Sequence, residues 1–142
     1  VVSSDDIRDE LAGVGERQAP YDPNLNKEVF RIANERVQAV LDTGGIAIVD
    51  GTHLSTKPES TFRKDAVQEY RNLGAITVAA LVLDVPVDVA KARNEVRGAD
   101  RKGYVQPEDI DRMDAYRNAH PLTPENPGEF DVVIVKPYTE NV

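Results

Sequence analysis

Val1-Val2-Ser3-Ser4-Asp5-Asp6-Ile7-Arg8 is the stretch on which the fold turns. Two β-branched apolar residues run into Ser-Ser-Asp, and an Arg follows Asp5 three positions on. The pattern reads as the carboxyl end of a buried strand turning into a helix, with a carboxylate and a guanidinium on one side of its first turn. Ligands of open α/β sheets bind at the carboxyl ends of strands, so this pair stands where chemistry is usually done. The plainer reading makes Asp5 a helix cap and Arg8 a surface charge. The chain opens on Val rather than Met, and the expectation is a piece cut from the middle of a larger fold.

Outward from this segment, strand and helix alternate. Ile7 to Leu11 starts a helix that breaks at Gly13 and Gly15, and a polar loop runs through Pro20 and Pro23. Asn24 is placed to cap a long helix whose face carries Leu25, Val29, Ile32, Ala33, Val37, Val40 and Leu41, with Gly44-Gly45 ending it. Ile46-Ala47-Ile48-Val49-Asp50 is a continuous apolar run closed by a carboxylate, the pattern of a strand buried on both faces. A helix is predicted from about Pro58 to Asn72, with Phe62, Ala66, Val67 and Tyr70 on its apolar face, followed by a second buried strand from Ile76 to Leu83. Residues 86–97 read as a helix, 98–106 as a loop and 107–119 as a helix opened by Pro107. A Pro-rich connector leads to a last strand, Phe130 to Val135. Apolar strands alternating with helices mean an α/β domain with a mainly parallel sheet flanked by helices. It is expected over residues 1–137, with 138–142 a tail or the start of a linker.

Composition narrows the function classes. The chain has 142 residues, 40% of them hydrophobic, which suffices for one domain with a core. No apolar run approaches the roughly 18 residues of a membrane helix, and no signal peptide is recognisable. Without cysteine there is no disulfide framework and no thiolate metal site, which favours a cytoplasmic setting. A formal charge of −8 argues against a general nucleic-acid coat but not against a local phosphate site. Lys91, Arg93, Arg97, Arg101 and Lys102 concentrate basic charge in one short segment, against only Glu95 and Asp100.

Three sets of residues can carry chemistry. In the first, Asp5 acts as a base and Arg8 as an anion clamp at the mouth of the sheet. The second is Asp50-Gly51-Thr52-His53 at a strand end, where a carboxylate suits a magnesium ion reached through water and, equally, a turn that satisfies loop amides. His53 and His120 read as loop hydrogen-bonders rather than catalysts. The third is Arg93, Arg97 and Arg101. The default for such a series is a solvated helix face. Three forked guanidiniums beside a loop punctuated by Gly98 and Gly103 also suit a mobile lid over polyphosphate.

Taken in order, these segments resemble the polynucleotide 5′-hydroxyl kinase family of P-loop kinases, within the AAA/P-loop NTPase superfamily. The likeness spans about residues 1–136. It is carried by Val2-Ser3-Ser4-Asp5-x-x-Arg8, by Ile48-Val49-Asp50-Gly51-Thr52-His53, and by the R-x-x-x-R helix of Arg93 and Arg97. The resemblance implies a three-layer parallel sheet flanked by helices, with ATP and Mg2+ as cofactors and DNA or RNA 5′-hydroxyl ends as partners. It implies no membrane, and frequent fusion to phosphatase or ligase modules. Asp5 would then be the general base toward a 5′-hydroxyl and Arg8 the contact to the acceptor strand's phosphate. Asp50 would be the carboxylate near the metal, acting through water. Arg97 and Arg101 would touch the β- and γ-phosphates as catalytic lid residues, and Arg93 would pack near the nucleotide. Small-molecule or toxin-type P-loop kinases, and a non-catalytic nucleotide-binding or interaction module, are the competing readings.

The departures are as informative. No G-x-x-x-x-G-K-[ST] occurs in the sequence, and Gly98 to Gly103 is followed by Tyr104 where Lys would stand. In the family this loop follows the first strand, and the strand order 2-3-1-4-5 puts that strand in the middle of the sheet. The expectation is therefore a P-loop and first strand absent from the given residues, leaving a gap between the strand ending at Asp50 and the strand at 76–83. Such a fragment, with exposed edges on both sides of the gap, is not expected to be stable by itself.

Overall fold

A computed structural model describes residues 1–13 and 22–140. The elements run β1 (Val2–Ser3), α1 (Ser4–Ala12), α2 (Pro23–Asp42), β2 (Val49–Asp50), α3 (Phe62–Asn72), β3 (Ala79–Asp84), α4 (Val87–Arg97), α5 (Pro107–Ala119) and β4 (Val132–Pro137). The predicted breaks at Gly15 and Pro20 lie outside the described residues.

Local chemistry sets the helix ends. Ser3, not Asp5, caps α1: its Oγ accepts from the Asp6 amide at 3.3 Å. Asp5 and Asp6 then sit inside the first turn, where their charge meets the positive end of the helix dipole. Gly13 closes the helix at φ 67°, a left-handed position that glycine takes without steric cost. Asp22, rather than Asn24, caps α2: its carboxylate accepts from the Asn24 amide at 2.9 Å, and Pro23 occupies the first helical position. The start of α3 falls at Phe62 rather than Pro58, because the Ser55 and Ser60 hydroxyls accept from the Lys57 and Phe62 amides and hold residues 55–62 in turns. For α4 and α5 the predicted spans agree with the structure to within a residue.

The strands form two separate parallel pairs. β1 pairs β2 through Val2↔Val49 and Ser3↔Asp50, and β3 pairs β4 from Ala79↔Val132 to Asp84↔Pro137. No ladder joins β2 to β3 among the described residues, so each of these strands keeps an unpaired edge.

The buried strands of the sequence reading need correction. The run 46–50 contracts to Val49–Asp50, and Ile46 and Ile48 are exposed, Ile46 at 90%. The run 76–83 becomes 79–84, and Ile76 is 96% exposed. Residues opposite one another in a ladder share a face, so Leu81, Leu83, Val132 and Ile134 form one exposed apolar face of the β3–β4 pair, while Val133 on the other face is buried. Burial on both faces requires layers on both sides, and a two-stranded sheet with one covered face cannot supply them. Phe62 is likewise exposed, whereas Val67 is buried as predicted and Arg63 is buried beside it.

One core cluster consists of Val2, Ile7, Val29, Ala33 and Val37, with Leu25, Ile32, Leu41, Ala47, Val49, Tyr70 and Leu73 packed around it. It fastens α1 and α2 to β1, and so fixes the first turn of α1 against the strand end. Val67, Val78, Tyr116 and Val133 are buried outside that cluster. Beside them runs a buried ion pair, Arg63 of α3 with Glu129 before β4. Arg63 also donates to the His120 carbonyl at 3.3 Å and lies 5.6 Å from the centre of the Tyr116 ring.

Candidate phosphoryl-transfer site

The carboxyl end of β1 delivers the first turn of α1, with Asp5 and Arg8 facing each other. Arg8 Nη1 donates to Asp5 Oδ1 at 2.9 Å, and Arg8 Nε donates to Asn26 Oδ1 of α2 at 3.1 Å. The guanidinium is therefore oriented from two directions, half-buried, while the Asp5 carboxylate remains largely open to solvent. Asn26 is a residue that sequence reading missed. Nothing in its own helix marks it, because its partner is 18 positions away.

A second tie reaches the same turn from the loop between α4 and α5. Lys102 Nζ stands 2.6 Å from Asp6 Oδ1, across 96 positions of sequence. It brings the loop between α4 and α5, which carries Arg101, beside the turn that carries Asp5.

That loop is closed by side chains of α4. Arg97 Nη1 donates to the Gly103 carbonyl at 2.6 Å. Gly98 and Gly103 have φ of 92° and 83°, a region L side chains rarely adopt. A Cβ on Gly103 would also stand 3.4 Å from the Arg97 guanidinium. Asn94, 4% exposed, holds Val105 by both backbone groups: its Nδ2 donates to the Val105 carbonyl at 2.6 Å and its Oδ1 accepts from the Val105 amide at 3.0 Å. Asn94 too was missed. Asn in mid-helix is a weak signal in sequence, and only burial gives it meaning. The phenol of Tyr104, in this loop, is pushed above its ordinary value by desolvation and then by the charges of Glu95 and Glu108.

Arg93 turns away from Arg97. Its guanidinium lies 5.7 Å from the centre of the Tyr138 ring, and both residues line a cavity of about 140 Å³ with Leu83, Asp84, Lys136 and Thr139. The cavity sits at the carboxyl ends of β3 and β4, and its walls are mostly apolar. Tyr138, assigned to the tail by sequence, is part of this wall. The structure therefore does not gather the three arginines at one point: Arg93 serves the cavity, Arg97 closes the loop, and Arg101 rides on it.

At the end of β2, Asp50 is exposed and His53 adopts φ 48°, a left-handed conformation rare for a side-chain-bearing residue. The His53 ring explains how that bend is held. Nδ1 lies 3.2 Å from the Gly51 carbonyl and Nε2 lies 2.9 Å from the Tyr70 hydroxyl. A carbonyl only accepts, so Nδ1 carries a proton toward Gly51, while Nε2 and the Tyr70 hydroxyl share the second bond. Burial pushes the Tyr70 phenol upward. His120 packs on Tyr116, ring centres 4.5 Å apart, with Nε2 3.1 Å from the Pro58 carbonyl.

Among the described residues no group of three or more His, Asp or Glu side chains is arranged to hold a metal ion. A lone carboxylate such as Asp50 fits magnesium only through the waters that the ion keeps beside substrate phosphates. No helix is long and apolar enough to cross a membrane among the described residues.

Compared with known families, residues 1–120 match the family described as AAA domain. No curated protein matches the chain.

Proposed function

The chain belongs to the AAA-domain family of P-loop NTPase-like kinases, a nucleotide-binding family, and from that premise we propose that it transfers the terminal phosphoryl group of ATP to the 5′-hydroxyl end of a polynucleotide. The observation that carries the reading is the Lys102–Asp6 tie, which joins the arginine-bearing loop to the helical turn of Asp5 and Arg8. Phosphoryl transfer needs a proton acceptor on one side of the reacting phosphorus and neutralising charge on the other, with little covalent chemistry from the protein.

In this reading Asp5 accepts the proton of the attacking 5′-hydroxyl, through a carboxylate that solvent and substrate can reach. Arg8, braced by Asn26, binds a backbone phosphate of the acceptor. Arg97 and Arg101 neutralise charge on the β- and γ-phosphates. One Nη1 of Arg97 is occupied by the Gly103 carbonyl, and a guanidinium has five N–H groups to offer. Arg93 and Tyr138 flank the adenine base, for which the cavity between β3, β4 and α4 offers an apolar wall and a cationic rim. Asp50 would hold magnesium through water, and the ion would supply charge neutralisation on the phosphates. The phosphate cradle belongs to a strand and loop of the family pattern, seated between β2 and β3, and the unpaired edges of these two strands are consistent with that place.

The test uses labelled ATP and the full-length protein. Label should appear on 5′-hydroxyl oligonucleotides and not on sugars or free nucleosides. Transfer to small molecules alone moves the protein to a small-molecule or toxin-type kinase, and no transfer at all leaves a binding module. Asp5→Asn should lower kcat by about 10²–10⁴ while ATP affinity holds. Weakened ATP binding in that variant would assign Asp5 to the metal instead.

A further inference from the structure

Asn94 is a buried polar residue to which the phosphotransfer reading gives no role. It points away from solvent within α4, and both ends of its amide are spent on a single residue, Val105, eleven positions along. We propose that Asn94 is the positioning residue of the arginine-bearing loop, clamping the stem of residues 98–104 so that Arg97 and Arg101 are presented to the phosphates in a fixed place. The inference rests on the proposed phosphotransfer reading and adds to it a residue that touches no substrate.

The argument is one of geometry and of donor count. Residues 98–104 leave α4 at Gly98 and rejoin the body at Val105, just before Gln106 and Pro107 open α5. Two glycines at positive φ let this loop turn tightly, with the Arg101 amide donating to the Gly98 carbonyl and the Tyr104 amide to the Arg101 carbonyl, and its closing end is tied to α4 at Val105. Val105 offers one donor and one acceptor at the closing end. A planar primary amide answers both at once, as a neighbouring strand would, and few side chains can. Asp offers only acceptors to a carbonyl that needs a donor, Leu leaves both groups of Val105 unpaired, and Gln displaces the amide by one methylene. The clamp lies one helical turn before Arg97, whose own bond to Gly103 closes the loop further in. The two contacts form successive rungs, so freeing the outer rung loosens the inner one and with it the position of Arg101. From this stem Lys102 reaches Asp6 at 2.6 Å.

A purely structural clip would give the same hydrogen bonds, so the test separates placement from folding. Asn94→Asp, Asn94→Leu and Asn94→Gln are made in the full-length protein. Hydrogen exchange is followed amide by amide, and labelled-ATP transfer to a 5′-hydroxyl oligonucleotide is measured beside it. Expected is an acceleration of tenfold or more confined to amides 101–105, with α2 and β3 unchanged. Expected with it is a fall in kcat of tenfold or more at unchanged KM for the oligonucleotide, with Gln recovering more of both than Asp or Leu. Acceleration throughout the domain would make Asn94 a folding residue and overturn the proposal. Unchanged exchange at 101–105, or local loosening without loss of kcat in a protein whose unsubstituted form is active, would overturn it too. A protein whose unsubstituted form transfers no phosphate refutes the phosphotransfer reading itself and the positioning role with it, and the exchange data then say only whether the clamp exists.

Discussion

Removing the charge of Arg63 should be among the most destabilising single substitutions available in this chain. Arg63 is 7% exposed and pairs with Glu129, itself largely buried, so Arg63→Met would strand a carboxylate in the interior. Breaking a buried pair by deleting one partner costs about 3–5 kcal/mol, because the remaining charge keeps its desolvation penalty and loses its compensation. The bond to the His120 carbonyl and the Tyr116 ring contact are lost as well, together worth about 1–2 kcal/mol. For a domain of this size the melting temperature should fall by roughly 10–20 °C. The assay is thermal and urea unfolding of the full-length protein carrying Arg63→Met, Glu129→Leu and both together. The double variant should be more stable than either single one and fall short of the original by only about 1–2 kcal/mol, the part owed to His120 and Tyr116. A loss below about 1 kcal/mol in Arg63→Met, or a double variant that loses the sum of the two single ones, would refute the claim that the pair is buried and coupled.

Three further outcomes are expected. Ile7→Ala, at a fully buried position of the α1–α2 cluster, should cost about 2–5 kcal/mol in urea unfolding, whereas Ile76→Ala at an exposed position should fall within ~0.5 kcal/mol; a larger loss at Ile76 would show that it is covered. Tyr138→Ala should raise KM for ATP about two- to fivefold, the size of an exposed cation–π contact, and leave KM for the oligonucleotide unchanged; equal effects on both would remove Tyr138 from the nucleotide side. Tyr70 makes stability fall at alkaline pH. Its phenol is raised in the folded state, so below the ordinary value near 10 both states are protonated, and above it the unfolded chain releases its proton first. Stability should decline from about pH 10 upward, and Tyr70→Phe should flatten that decline; identical slopes in urea unfolding between about pH 8 and 11 would contradict it.

The helices were readable because their signals are local. Pro107 at the first helical position and the Gly98 end of α4 gave two spans nearly residue for residue, and the apolar spacing of α2 named Val29, Ala33 and Val37 as its buried line. Caps were less secure, since Ser3 competed with Asp5 and Asp22 with Asn24, and neighbouring polar side chains offer the backbone nearly equal bonds. The strands misled. An apolar run such as Ile46 to Val49 states that a segment can be buried, not that layers exist to bury it, and here a ladder on only one side leaves Ile46 and Ile48 in solvent.

By itself the sequence determined the order of strand and helix and the spans of α4 and α5. The tertiary structure alone decided how those groups are held: Asn26 behind Arg8, Asn94 on Val105, Lys102 on Asp6, Tyr138 against Arg93. The first kind of information lies in residues within a turn or two of each other, where periodicity and capping act. The second lies in contacts up to 96 positions apart, between exposed or unremarkable polar side chains whose partners no local pattern specifies, and which only the packing of α1, α2, α4 and β4 brings within reach.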